Sequence, residues 1–410
     1  MDCTGLCEVI AQSGLDVGLA QFLSLLLAVV AVSGVPLVTV IFLIWVERKI
    51  AARIQDRIGP NRVGPFGLVQ TFADLLKLLV KEDITPTAAD RLLYNVAPLI
   101  SFASVALIWA IVPYTPYHFG ADLEIGALYF VAVASLGTLA IMTAGWASNN
   151  KYALLGAFRV VALLVSYEIP LVFALMVPVL LAGSMSMLDI VYAQGGMWFV
   201  FMSPLAMLLF FISSQAETGR APFDLIEAES ELVAGFNIEY SGMKFGMFFA
   251  AEFLHVFTNG VLIAVLFMGG WFFPGWQEPL IAFFWLGVKA SLVYFVSLWI
   301  RNTVPRFRID QVMKFNWFFL VPISIVNVLV LSFLVMVLKE IGLVPLDEAG
   351  NMALQTGTFV EMLPMTIVLL LSNVLICIPI INRLRRSGNE SRAELEARAA
   401  SRAVAGATGD

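Results

Sequence analysis

Six carboxylates, Glu217, Asp224, Glu227, Glu229, Glu231 and Glu239, fall between Glu217 and Tyr240 against one base, Arg220. Long apolar stretches flank this segment on both sides. Acids this dense beside a membrane repel one another, so some must keep protons or find cationic partners. Glu227 and Glu231 are one helical turn apart, where like charges oppose each other and titrations couple. A chain of coupled carboxylates is the chemistry that proton movement into a bilayer requires. The plainer reading is a solvated acidic loop. Leu225, Ile226, Leu232, Val233 and Phe236 interleave with the acids and argue against full solvation. Arg220 is expected to restrain the run by pairing with Glu217, Asp224 or another nearby acid.

Other ionisable residues lie inside apolar stretches: Glu168 beside Pro170, Glu252 with His255, and Lys289 with Tyr294. A charge at bilayer mid-depth costs about 3 kcal/mol unless it faces protein or water. Proline near Glu168 frees backbone groups that water or polar side chains can satisfy. These residues are either functional or paired structurally, as Glu168 with Lys289 could be. His255 on its own reads as an interhelical hydrogen-bonding residue. The cysteines, Cys3, Cys7 and Cys377, have no metal-ligand spacing, so no iron–sulfur cluster, haem or metal site is expected in this chain. Electrons for any redox reaction would have to come from a partner. No nucleotide fingerprint stands in a strand–turn–helix context, and no nucleic-acid partner is expected.

The elements that must hold these groups are membrane helices. Apolar residues make up 60% of the 410 and charged residues only 13%. Apolar runs near 20 residues recur, which predicts an all-α, polytopic membrane protein. Nine spans are expected, at 18–46, 92–112, 126–147, 156–183, 198–216, 244–268, 281–301, 317–338 and 361–382. They form one membrane domain over 1–382, followed by a solvated or disordered tail over 383–410. Of the 24 Lys and Arg, all but Lys289 and Lys339 fall on the side of loops 47–91, 148–155, 217–243, 302–316 and the tail. That asymmetry puts this side in the cytoplasm, with the N-terminus outside and the C-terminus inside. The first span follows Asp2, Glu8 and Asp16 and is not expected to be a cleaved signal peptide.

Two cytoplasmic segments carry further patterns. From Pro65 the periodicity turns helical, with Leu68, Phe72, Leu75 and Leu79 in one stripe and Gln70, Asp74, Lys77 and Lys81 in another. This predicts an amphipathic helix of about 15 residues lying at the interface with lipid or against a soluble partner. The segment Arg301 to Lys314 clusters bases at the membrane surface, where they can enforce topology or meet headgroups or a partner.

Three motifs together carry a resemblance. They are Glu47-Arg-Lys through Gly59-Pro-Asn-Arg-Val-Gly-Pro-Phe-Gly67, Glu217-Thr-Gly-Arg-Ala-Pro-Phe-Asp224 through Gly235-Phe-Asn-Ile-Glu-Tyr240, and Pro305-Arg-Phe-Arg-Ile-Asp-Gln311. In this order, between these spans, the chain resembles the H-subunit family of bacterial NADH:quinone oxidoreductase, respiratory complex I, counterpart of mitochondrial NADH dehydrogenase subunit 1. The resemblance runs over roughly 18–382 and implies a membrane floor for a quinone chamber beneath a soluble iron–sulfur arm. It implies quinone, ubiquinone by expectation, as bound substrate, entering between the first span, the sixth span and the amphipathic helix. It implies a polar path toward antiporter-like subunits through Glu168, Glu217, Asp224, Glu227, Glu229 and Glu231. It places Arg48, Arg53, Arg57, Arg62 and Arg301, with Phe66, Phe72 and Phe236, at the chamber or the arm. Implied partners are iron–sulfur subunits of the peripheral arm, antiporter-like and small membrane subunits, and membrane lipids. The implied location is the bacterial inner membrane.

The expected function is therefore that of a non-redox component of a proton-translocating enzyme, coupling quinone reduction to carboxylate protonation. A related membrane component of a membrane-bound hydrogenase is the nearest alternative. An autonomous ion transporter would also use intramembrane Glu and Lys, and a purely structural anchor would gain nothing from Glu168.

Overall fold

The computed structural model describes residues 17–116, 120–224, 234–344 and 359–379, with Asn382 and Arg385. Helices build it throughout. The first, α1 (Val17–Ile54), is 38 residues long. At 1.5 Å per residue it spans about 57 Å, well beyond the roughly 30 Å of hydrocarbon. Its last turns therefore carry Glu47, Arg48 and Arg53 past the apolar layer.

The amphipathic helix begins later than the periodicity suggests. Pro65–Gly67 forms a 3-10 turn with Phe66 at φ 54°, and α2 runs over Gln70–Val80. Gly67 sets the break. Its φ is +80°, and a Cβ there would lie 2.3 Å from the Pro60 carbonyl oxygen. α2 rests on α1 and on the sixth span. Thr71 is buried, whereas Leu68, Phe72 and Leu79 of the predicted stripe remain exposed.

The remaining helices are α3 (Arg91–Ile108), α4 (Gly126–Ala147), α5 (Lys151–Ala182), the short α6 (Met187–Tyr192) and α7 (Phe199–Met202), α8 (Pro204–Glu217), α9 (Gly242–Phe267) and α10 (Pro279–Thr303). Then come α11 (Ile309–Ile341), which contains a π turn at Asn316–Leu320, and α12 (Phe359–Pro379). Among the described residues, seven helices are long and apolar enough to cross a membrane: α3, α4, α5, α9, α10, α11 and α12. α1 covers the first expected span, 18–46, and continues eight residues beyond it.

The fifth expected span, 198–216, is not one helix. α7 ends at Met202, Ser203 leaves the helical region at φ −138° and ψ 66°, and Pro204 starts α8 afresh. Proline cannot donate to the preceding turn and pushes the residue before it out of the α region. α8 is 14 residues, about 21 Å, too short to span alone. It does not need to face lipid along its length. Leu205, Ala206, Leu209, Phe210 and Ser213 through Glu217 are buried as α8 packs on α5, α9 and α11.

Packing then brings the end of the acid segment, Gly235–Asn237, to α5. Gly156 of α5 lies under the 3-10 turn Gly235–Asn237, and a Cβ at 156 would sit 2.8 Å from the Gly235 Cα. Only a residue without a side chain permits that approach. Next to it, Tyr94 and Tyr240 stack with centroids 4.2 Å apart, and Phe248 packs edge-on against both Phe236 and Tyr240. α9, the most enclosed of the long helices, forms the back wall.

Candidate functional site

Arg220 stands just beyond α8 and is 3% exposed. A guanidinium so buried must find carboxylates or leave donors orphaned. It finds two. Its Nη1 donates to Glu47 Oε2 at 2.6 Å, and its Nε donates to Glu252 Oε1 at 2.9 Å. Phe253 places its ring 4.3 Å from the guanidinium carbon. Glu47, 7% exposed, also accepts from Arg301 of α10 and from the Tyr294 hydroxyl at 3.2 Å. One cluster of two acids, two bases and a phenol thus joins α1, α9, α10 and the turn after α8. The expected pairing of Arg220 with Glu217 or Asp224 does not occur. The turn Thr218-Gly219 directs Arg220 away from Glu217, and Gly219 adopts φ 64° there.

Glu217 faces a different space. It helps line a cavity of about 70 Å³ together with His255, Glu252, Ser101, Ser104 and Thr138. By volume the cavity has room for a handful of waters. His255 Nε2 lies 3.9 Å from Glu217 Oε1. Glu217 Oε2, His255 Nε2, Ser213 Oγ and Asn237 Oδ1 are all buried without a hydrogen-bond partner among the described residues. Groups of this kind in native proteins are those that ordered water satisfies. Glu252 borders both features, so the ion cluster and the cavity share a wall.

Glu168, half-buried on α5, lies within electrostatic reach of Glu217. The expected alternative, an ion pair with Lys289, is not formed. Lys289 Nζ instead donates to the carbonyls of Met268, Gly270 and Phe272 at 2.7, 2.9 and 3.0 Å, and sits 4.2 Å from the centre of the Trp198 ring. Three carbonyls from the turn after α9 satisfy all three ammonium protons. Asp224 is half-buried. Glu227, Glu229 and Glu231 lie outside the described residues. Burial holds the Tyr240 phenol well above its ordinary range, so it keeps its proton near neutrality.

The basic and aromatic candidates divide into three sets. Arg48 pairs with Asp74 at 2.5 Å and ties α1 to α2, helped by the Trp45 indole, which donates to the Phe66 carbonyl at 3.1 Å. Arg53, Arg57 and Arg62 are exposed on the end of α1 and the loop after it. Phe66 is 73% and Phe72 49% exposed, whereas Phe236 is buried and lines the cavity of Glu217. Arg301 is part of the ion cluster, not of the exposed arginine surface.

Several members of this site were not among the residues singled out from sequence as site residues. Glu47 had a signal, since it is an acid closing an apolar span in front of a run of bases. Glu252 and His255 were marked by their depth but not assigned to the acid path. Ser101, Ser104 and Thr138 had none, because a hydroxyl in an apolar span usually bonds its own helix, as Ser104 does to the Ser101 carbonyl.

The sequence profile described as NADH dehydrogenase matches residues 26–332. The NADH-quinone oxidoreductase H subunit of Geobacillus kaustophilus (strain HTA426) is 50% identical over 309 residues, 74% of this chain and 90% of its own length. The protein of the same name from Dehalococcoides mccartyi (strain CBDB1) is 45% identical over 322 residues, 78% of this chain and 90% of its own. In Geobacter metallireducens (strain ATCC 53774 / DSM 7210 / GS-15), the NADH-quinone oxidoreductase H subunit numbered 1 is 46% identical over 304 residues, 72% and 91% of the two chains. With a profile match across most of the membrane domain and relatives at about half identity over most of both lengths, this chain belongs to the NADH dehydrogenase family.

Proposed function

We propose that this chain is a membrane subunit of a proton-pumping NADH:quinone oxidoreductase, forming part of the quinone chamber and the first stage of a carboxylate path. The observation that carries the reading is the shared wall at Glu252. On one side stands a buried ion cluster, on the other an acid- and hydroxyl-lined cavity holding Glu217 and His255. The cluster binds α1, α9 and α10 together at the cytoplasmic end expected from the basic loops. Charge that develops in a quinone chamber there acts on Glu47 and Glu252 through short distances and little water. Protons taken up in response have a polar route through Glu217 and on to Glu168, where Pro170 leaves backbone groups open to hydration. Asp224, Glu227, Glu229 and Glu231 follow in the sequence and extend this set.

The exposed apolar stripe of α2 suits an isoprenoid tail entering from the bilayer, while Asp74 and Lys77 stay at the aqueous rim. Arg53, Arg57 and Arg62 present an exposed basic surface suited to the iron–sulfur arm, and antiporter-like membrane subunits would take up the path beyond Glu168. The Lys and Arg asymmetry supports an N-terminus outside a bacterial inner membrane. Glu217→Gln tests the reading. In the assembled enzyme, proton pumping coupled to quinone reduction should fall by tenfold or more. NADH oxidation by ferricyanide, which needs only the peripheral arm, should persist. Full pumping by an assembled Glu217→Gln enzyme would exclude Glu217 from the path.

A further inference from the structure

A second cavity lies at the ends of α8, α10 and α11, and the proposed function makes no use of it. Its volume is about 430 Å³, within the range of roughly 300–1,000 Å³ usual for ligand pockets. Phe211, Ile212, Phe223, Phe307, Val312 and Phe315 give it apolar walls. The wall is firmly built. The Phe307 amide donates to the Pro222 carbonyl at 3.1 Å, the Phe223 and Phe307 rings pack 6.2 Å apart, and the Arg308 amide donates to Gln311 Oε1 at 3.2 Å.

The segment that closes the cavity is strongly basic. Arg306 and Arg308 flank the wall residue Phe307, and Lys314 precedes the wall residue Phe315. All three bases are exposed, and none forms an ion pair among the described residues. Asp310 is the one acid between Arg306 and Phe315. The segment joins the end of one membrane helix, at Thr303, to the start of the next, at Ile309. It therefore lies at the cytoplasmic ends of α10 and α11 expected from the basic loops, and its Phe307 forms part of the cavity wall.

An apolar cavity walled by a segment that also carries three exposed bases matches one chemistry, a long hydrocarbon chain carrying an anionic head. A quinone headgroup is uncharged and has no need of three bases. A transmembrane helix from a neighbouring subunit would fill the apolar part without meeting the charge. Basic pockets between membrane helices on the cytoplasmic side are where anionic headgroups settle, at about 1 kcal/mol for each base near the surface. We propose that this cavity binds an acyl chain of an anionic phospholipid, with its phosphate held by Arg306, Arg308 and Lys314.

The whole enzyme, reconstituted in vesicles, provides the test. A phosphatidylglycerol analogue with a photoreactive group on its acyl chain should label peptides of α8 and α11 around Phe211 and Val312. Unlabelled phosphatidylglycerol should compete at least fivefold better than phosphatidylcholine. Arg308→Gln should weaken labelling several-fold, and the triple change of Arg306, Arg308 and Lys314 to Gln should abolish the preference for the anionic lipid. Val312→Trp, which fills the cavity, should reduce labelling by either lipid. Equal competition by the two lipids in the unaltered enzyme would overturn the proposal. Labelling that survives both the triple change and Val312→Trp would overturn it too. So would a photoreactive residue at position 312 that captures a neighbouring subunit instead of lipid.

Discussion

Replacing Arg220 by Met removes the one guanidinium that bridges Glu47 and Glu252. Met keeps much of the length and apolar contact of the stem, so the loss is mainly electrostatic. Breaking a buried ion pair by deleting one partner costs about 3–5 kcal/mol, because the remaining charge stays buried. The two acids differ in what they retain. Glu47 keeps Arg301 and the Tyr294 hydroxyl. The Glu252 side chain is 26% exposed and borders the cavity, so it can regain water. The cost should fall near the lower end, about 3 kcal/mol, roughly a hundredfold in the fraction correctly folded. A double-mutant cycle between Arg220→Met and Glu47→Gln should return a coupling of about 1.5–3 kcal/mol, as charge-assisted hydrogen bonds do. Arg220→Lys should be intermediate, since one ammonium cannot match the fork that serves both acids. The assay is thermal stability of the assembled enzyme, read beside NADH:quinone and NADH:ferricyanide activities. Quinone activity should fall further than ferricyanide activity in Arg220→Met. A coupling near zero between Arg220 and Glu47, in an enzyme that assembles normally, would refute the idea that this cluster organises the site.

Other outcomes follow from the same geometry. Lys289→Met leaves three carbonyls without their donor at about 1–3 kcal/mol each, so assembly should be lost or the melting temperature lowered sharply. It should not rescue Glu168→Gln, and rescue would revive the ion pair that the structure replaces with carbonyls. Phe72→Asp puts a charge on the exposed apolar face of α2. It should impair turnover with long-tailed quinones more than with short soluble analogues, and equal losses would indicate faulty assembly. Gly156→Val forces a side chain into the Gly235 backbone at 2.8 Å, so limited proteolysis should cut the 217–240 segment faster than in the unaltered enzyme.

What the sequence made legible, and what it hid, follows from the range of the interactions. Apolar runs and the Lys and Arg asymmetry are local, and a 3.6-residue stripe needs only neighbours in the chain, so the long helices and the exposed face of α2 were readable. The fifth span misled because hydropathy averages over a window, while one proline after Ser203 decides whether the helix continues. Charge partners were the least readable part. Arg220 sits among acids close in sequence, and local proximity makes Glu217 or Asp224 the natural expectation. The partner it takes, Glu47, is 173 residues away, and that choice is made by the packing of α1 against α9 and α10. Lys289 repeats the lesson from the other side. Its depth marked it as needing a counter-charge, but a turn built around Gly269 and Gly270, both at positive φ, supplies carbonyl dipoles in place of an acid. Among the described residues, Lys289 is therefore not the cation of Glu168. An acid held in a permanent pair cannot carry protons without breaking it, so the carbonyl cage around Lys289 fits the proposed role of Glu168 better than a fixed ion pair would.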